Sequence, residues 1–274
     1  NPRQPTNPAT ARSYRPPCHR RSEAPEALVR SVHTRRECVV IVGVLLAAGA
    51  STRMGSPKAL AKSRGQSFLV RGVRALWSVC DTVVVVLGAD GERICDEVGL
   101  EFERLVAKGL LAPEAHRGAR KRGHELEVRF AFNKQWERGM LSSARVGLAA
   151  ALKHRPSGVL IQPVDHPEVK SETVVALGAM LDEALGAFPG KQASGFAYAL
   201  VPRHRGRRGH PVALSSALAA LVARDKKATD LSDGIRRHAR LIGYLDVADR
   251  GITVNRNTPA KLATKPAKRQ ARRS

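Results

Sequence analysis

A chain of 274 residues that is 43% hydrophobic can bury one core of α/β size and requires no second domain. No apolar run reaches the ~18–20 residues of a membrane-spanning helix, and four cysteines without a C-x-x-C pair indicate neither a zinc site nor a disulfide framework. A net charge of +23 favours anionic partners, yet 4% aromatic residues leave little to stack bases, so neither nucleic acid nor membrane is the expected partner.

Residues 1–38 are rich in Pro, Arg and Ser and carry eight Arg against three Glu without a sustained apolar period, which reads as a disordered basic tail. Arg35-Arg36, followed by an apolar run and Ala-Ala-Gly-Ala, imitates a twin-arginine export signal. Cleavage near Ala50 would remove the first strand of the domain, so a cytoplasmic location is expected. Val39 to Leu46 is an apolar, β-branched run suited to a strand buried on both faces of a parallel sheet. It opens into a loop whose small residues Gly49, Ser51, Thr52 and Gly55 let backbone N–H groups approach a ligand, with Arg53 and Lys58 adding positive charge. That is a phosphate cradle, although it matches neither the P-loop nor the G-x-G-x-x-G pattern.

Phe68, Leu69, Val73, Leu76 and Trp77 recur at helical spacing and Thr82 to Leu87 reads as a second strand, giving a βαβ unit and a parallel sheet. Gly88-Ala89-Asp90 should end that strand at the same sheet edge as the first loop. Glu101 to Glu127 reads as an insertion, a helix followed by an exposed basic loop. After a short strand at Val128 to Phe132 come Asn133, Trp136, Gly139, Met140, Ser142 and Ser143, then a helix from Ala144 to Leu152. Asn133 offers amide contacts to a base or sugar, while Ser142 and Ser143 suit either helix N-caps or the presentation of N–H groups to an anion.

Gly158 to Val164 is another buried strand, and it ends in Asp165-His166-Pro167. A carboxylate at the end of a central strand lies where open α/β sheets bind ligands, so Asp165 is the leading Mg²⁺ ligand; the alternative is an N-cap for a helix within Pro167 to Leu185. Gly195 to Val201 reads as a strand, and Arg203 to Pro211 brings four arginines up to Gly209-His210-Pro211, either a cationic lip or a solvated hairpin tip. Helices at Ser215 to Ala223 and Leu231 to Arg240 and a strand at Leu241 to Val247 complete the sheet. Residues 263–274 read as a second disordered basic tail.

Leu46, Ala47, Ala48, Gly49, Ser51, Arg53, Met54, Gly55, Pro57 and Lys58 match the signature L-A-A-G-x-S-x-R-M-G-x-P-K, and the chain resembles the MobA-like nucleoside-triphosphate transferases. The segments NKQWERGMLSS, PVDHP, GRRGHP and NRNTP follow in family order, so the resemblance spans 39–262. It implies a single-domain Rossmann-like fold of GT-A type, with a mostly parallel twisted sheet flanked by helices. Nucleotide would sit on the N-terminal half and acceptor on the C-terminal half. Ala48 in LAAG, together with the G-H-P element, looks most like the molybdenum-cofactor cytidylyltransferases. The implied reaction transfers CMP from CTP to the phosphate of molybdopterin with release of pyrophosphate, and a molybdoenzyme or its chaperone is a possible further partner.

By that resemblance Arg53, Lys58 and Asp165 are catalytic. Leu46, Ala47, Ala48, Gly49, Ser51, Gly55, Gly88, Asn133, Ser142 and Ser143 contact the nucleotide. Asp165, Asn255 and Asn257 hold Mg²⁺, and His166, Arg208, Gly209, His210 and Pro211 hold the acceptor. The chain departs from the family at its end: where D-x-D-T-P-E-D-L is usual, it has Asn255-Arg256-Asn257-Thr258-Pro259-Ala260-Lys261-Leu262. That change leaves two alternatives open, transfer to a sugar phosphate or other alcohol phosphate, and a degenerate member that binds nucleotide as a regulator.

Overall fold

Residues 39–49, 56–108, 127–186 and 195–257 are described by the structure, a computed structural model. The chain divides into two units, Asn1–Arg36 and Glu37–Ser274, and every described residue belongs to the second. Ile41–Leu46 (β1) is buried at every position because its alternate side chains enter two different cores. Ile41 and Leu45 join the layer built with helices Phe68–Trp77 (α1), Gly91–Ala107 (α2) and Ser171–Gly186 (α4). Val42, Val44 and Leu46 join the opposite layer, with helices Met140–Leu152 (α3), Ser216–Arg224 (α5) and Leu231–His238 (α6). A strand covered on both faces needs no polar alternation, which is why it reads as a continuous apolar run.

β1 pairs in parallel with Thr82–Leu87 (β4) on one side and Gly158–Pro163 (β6) on the other. Glu127–Phe132 (β5) extends the sheet beyond β4. Beyond β6 come the antiparallel Val212–Ser215 (β9), then Tyr198–His204 (β7) and Leu241–Asp246 (β10), with Arg207–Arg208 (β8) folded back on β7. A two-stranded hairpin, Lys62–Ser63 (β2) with Gln66–Ser67 (β3), stands apart and leads into α1, whose N-cap Ser67 accepts from the Val70 N–H. The eight-stranded sheet is mixed and mostly parallel, as expected. The chain runs from β1 to β4 on one side and later fills the other side with β6. The C-terminal ends of β1 and β6 therefore bound a crevice at the point where strand order reverses.

Several boundaries differ from the sequence reading for local reasons. Helix α3 begins at Met140, not Ala144, because Gly139 adopts φ +92° between the 3₁₀ turn Trp136–Arg138 and the helix. Gly139 is thus the N-cap, and Ser142 and Ser143 lie within the first turn. Helix α4 starts at Ser171, which removes Asp165 from any capping role. Strand β7 reaches Tyr198–His204 rather than Gly195–Val201, because a hairpin through Arg205 and Gly206, at φ +51° and +76°, draws Arg203 and His204 into pairing with β8. Glu101 to Ala107 completes α2, whereas the basic stretch at 109–126 and both expected tails lie outside the described residues. Among the described residues no helix is long and apolar enough to cross a membrane.

Candidate functional site

The segment Leu46–Gly49 leaves β1 held against the neighbouring strand: the Ala47 N–H donates to the Val86 carbonyl at 2.9 Å, and the Ala89 N–H donates to the Ala48 carbonyl at 3.3 Å. Gly88 makes that approach possible, since a Cβ there would lie 2.5 Å from the Ala48 oxygen and 2.6 Å from Trp136 Cβ. Ser51, Arg53 and Gly55 lie outside the described residues. The chain re-enters through Ser56 and the buried Pro57, and Lys58 lines the same crevice as Ala47, Ala48 and Asp165. Lys58 Nζ donates to Asn257 Oδ1 at 3.1 Å across 199 residues of sequence, so the first loop and the departing NRN segment meet at one point.

Asp165 is fixed by backbone contacts on either side. The Val164 N–H donates to the Leu46 carbonyl at 2.9 Å, and the Asp165 carbonyl accepts from the Arg256 N–H at 2.8 Å. The Arg256 guanidinium pairs with Glu168, which pins Asn255–Asn257 beside the Asp165 turn from a second direction. Among the described residues no three His, Cys, Asp or Glu side chains cluster as a metal site. The oxygen donors on these segments are the Asp165 carboxylate, the Asn257 amide oxygen, which accepts from Lys58, and the amide of Asn255 two residues earlier in the chain. They are all hard oxygens, and they fit a Mg²⁺ ion that keeps several waters and takes further ligands from phosphates.

Asn133 is buried, and its amide is committed within the protein: Nδ2 donates to Ser142 Oγ at 2.8 Å and Ser143 Oγ at 3.0 Å, while Oδ1 accepts from the Gln135 N–H at 2.9 Å. Ser142 Oγ in turn donates to the carbonyls of Gln135 or Gly139, both at 2.9 Å. Neither serine side chain caps α3. Together with Asn133 they hold the 133–139 loop, whose Trp136 and Gly139 line the crevice along with Met140.

The G-H-P element reaches the same end of the sheet. Gly209 packs where a Cβ would lie 2.4 Å from the Ile252 oxygen, and the His210 N–H donates to that oxygen at 3.0 Å. This places the His210 ring 5.1 Å from that of His166, and His166 Nε2 is 3.7 Å from Asp165. Burial, and then the neighbouring His166, push the His210 imidazole down to about 3. Burial also lowers His166, against the opposing pull of Asp165. Burial thus favours the neutral form of both rings, each with a buried Nδ1 that has no hydrogen-bond partner among the described residues. Gln162 adds a third such atom, Oε1; its one polar interruption of the GVLIQPV run was the signal, unused in the sequence reading, that β6 carries more than core. Of the four arginines, Arg208 is exposed on β8, and Arg203 is spent on Asp246 at 2.7 Å and on the Tyr244 ring at 4.6 Å.

The family model of the MobA-like NTP transferase domain matches residues 43–241. The chain belongs to that family. The match stops short of Asn255–Asn257, so this MobA-like chain departs from the usual carboxylates outside the matched segment. A protein named nicotine blue oxidoreductase, from Paenarthrobacter nicotinovorans, is 32% identical over 67% of this chain and 74% of its own length. A second, named probable molybdenum cofactor guanylyltransferase, from Rhodopirellula baltica, is 30% identical over 50% of this chain and 54% of its own. Among solved structures, a nucleotidyl transferase from Methanothermobacter thermautotroptrophicus superposes with a TM-score of 0.56 at 18% identity, covering 81% of this chain and 94% of that one. That likeness shows the fold.

Proposed function

We propose that the protein is a cytoplasmic nucleotidyltransferase that moves a nucleoside monophosphate, CMP from CTP, onto the phosphate of a molybdopterin-type acceptor and releases pyrophosphate. The observation that carries this reading is the meeting of Lys58, Asp165 and Asn257 with the Leu46–Gly49 loop at the ends of β1 and β6. An acceptor phosphate oxygen forms the new bond to the α-phosphorus, and the α–β bridging bond breaks with its electrons leaving on pyrophosphate. A phosphate is already a nucleophile, so the protein has to align the reactants and offset their charge. Lys58 serves the α-phosphate and Arg53 the β- and γ-phosphates, while the loop N–H groups and Gly88 shape the cradle. Asp165, Asn255 and Asn257 would hold a divalent ion, which when bound supplies positive charge to the phosphates. Asn133, Ser142 and Ser143 serve the nucleotide by positioning the 133–139 loop. His166, Gly209, His210 and Pro211 form the acceptor side, with Arg208 at its rim. The unpartnered nitrogens of two neutral imidazoles suit the edges of a polar heterocycle such as a pterin better than a phosphate.

The test is titration of each nucleoside triphosphate with and without Mg²⁺, followed by pyrophosphate release with molybdopterin, a sugar phosphate and an alcohol phosphate as acceptors. Release with a sugar or alcohol phosphate alone moves the acceptor assignment, and nucleotide binding without release under any pairing makes the protein a regulator.

The 32% identity to a protein named as an oxidoreductase supports a second reading, in which the crevice holds a nucleotide-bearing electron donor by its phosphates. Oxidation of a reduced nicotinamide dinucleotide in the presence of a quinonoid dye, without pyrophosphate release in the first assay, would favour it.

A further inference from the structure

Beside the 133–139 loop lies a second hollow of about 510 Å³ between the end of β5, the first turns of α3 and the Ala228–Thr229 turn that precedes α6. Among the described residues it shares no lining residue with the crevice. Three cations line it, Lys134, Arg138 and Arg145, and no carboxylate does among its described lining residues. Lys134 and Arg138 are exposed, and among the described residues neither makes an ion pair. Arg145 is built in: Nη2 donates to the backbone carbonyls of Asp225 and Ala228, which fix the guanidinium without cancelling its charge. Its Nε is buried with no hydrogen-bond partner among the described residues. One wall is Phe132, a residue more than half exposed although it belongs to a strand of the sheet. Fixed positive charge beside an open aromatic face recognises an anion that carries a flat apolar group.

The hollow is wired to the crevice. Asn133 Nδ2 donates at once to Ser142 Oγ, on the hollow side, and to Ser143 Oγ, on the crevice side. Lys134 and Arg138, which face the hollow, flank Trp136, which faces the crevice, within one short loop. We propose that this hollow binds a phosphorylated small molecule as an effector, and that the loop held by Asn133 passes its occupancy to the crevice. A bland role for Arg145, bracing the end of α5, accounts for its two carbonyl bonds but not for the two further cations beside it. The inference does not depend on which reaction the crevice performs.

Trp136 reports on the loop, and the only other tryptophan, Trp77, is buried in α1. The experiment titrates the full chain with inorganic pyrophosphate and, separately, a nucleoside monophosphate, following tryptophan emission at constant ionic strength. It is run in a Lys58→Ala background so that binding in the crevice is weakened. A saturable change is expected for at least one probe, and which one identifies whether phosphate alone or phosphate with a base is recognised. Adding Lys134→Ala and Arg138→Ala, both at exposed positions, should weaken it at least tenfold. In the protein with Lys58 intact, a saturating probe should alter nucleoside-triphosphate affinity severalfold, and the effect should vanish with Lys134→Ala/Arg138→Ala. Affinity unchanged by the double substitution, or a signal reproduced by potassium chloride, overturns the site. Binding that leaves triphosphate affinity unaltered overturns its effector role.

Discussion

Gly88→Ala tests whether the cradle is assembled as described. The new Cβ would sit 2.5 Å from the Ala48 oxygen and 2.6 Å from Trp136 Cβ, and one of these neighbours is rigid backbone. Relief requires the Ala48 segment and the 133–139 loop to separate by at least about half an ångström, which also stretches the 3.3 Å bond from the Ala89 N–H to the Ala48 carbonyl. Overpacking of this kind costs about 1–3 kcal/mol and a weakened hydrogen bond up to about 1 kcal/mol more. For a domain of this size that is a fall in Tm of roughly 2–16 °C. Displacement of a phosphate-facing loop by such a distance should lower kcat/KM about tenfold or more, because a misplacement of ~1 Å can cost about a hundredfold. Gly99→Ala is the matched control: no atom of the described residues lies within 4 Å of its added Cβ, and it sits inside α2, so it should gain about 0.5–1 kcal/mol with unchanged kinetics. Differential scanning calorimetry and a pyrophosphate-release assay read both variants. If Gly88→Ala melts and turns over like wild type, the contact between the β1 and β4 loops does not exist in solution.

Lys58→Ala should leave Tm nearly unchanged and lower turnover about ten- to a hundredfold, since it removes a charge-assisted contact of about 1.5–3 kcal/mol; steady-state kinetics of wild-type magnitude would remove Lys58 from the site. Asp165→Asn should abolish metal-dependent turnover, and Asn257→Asp should lower the Mg²⁺ concentration that gives half-maximal release; activity intact in the first variant would misplace the centre. Asp225 is held at about 2, first by the Lys227 N–H, with further support from His238, the Ala228 N–H and Arg237. Its folded pKa lies below the unfolded one, so its contribution is complete above about pH 4 and is lost as pH falls toward 2. Asp225→Asn should lower stability at neutral pH and flatten the acid limb of the stability curve between those values. A limb of unchanged steepness in denaturant titrations would refute that assignment.

What the sequence disclosed most faithfully were elements whose pattern has one physical cause. Thr82–Leu87 is a strand at the residues expected, and β1 is buried throughout, because an apolar β-branched run has no other place in a parallel sheet. Boundaries set by single backbone conformations were less legible. The start of α3 depends on Gly139 at φ +92°, and the length of β7 on the Arg205–Gly206 turn, neither of which a hydrophobic period encodes. Contacts between distant segments left little local signature. Nothing near Lys58 foretells its bond to Asn257, so the sequence could assign these two to one site without saying that they touch, and nothing near Arg256 foretells Glu168, so that pair went unassigned.

The bond between Lys58 and Asn257 gives a physical sense to the lost carboxylates. A carboxylate at 257, with an oxygen about 3 Å from Lys58 Nζ, would interact with the ammonium by about 5 kcal/mol at an effective dielectric of 20, before desolvation is counted. That charge would compete with a triphosphate for the same lysine. The amide takes the hydrogen bond at 3.1 Å without adding a negative charge to the crevice. If Asn255 and Asn257 hold a divalent ion as proposed, the exchange would lower affinity for it, because two anionic donors are replaced by neutral ones, and would raise the positive potential that bound phosphates meet. Asn257→Asp therefore moves two quantities in opposite directions, tightening the metal while weakening the metal-free binding of nucleotide. Measuring both in one variant separates a site that has lost its metal function from one that has shifted part of the phosphate charge onto Lys58. A carboxylate at 257 that strengthens metal-free nucleotide binding would show that the crevice gains nothing from the amide.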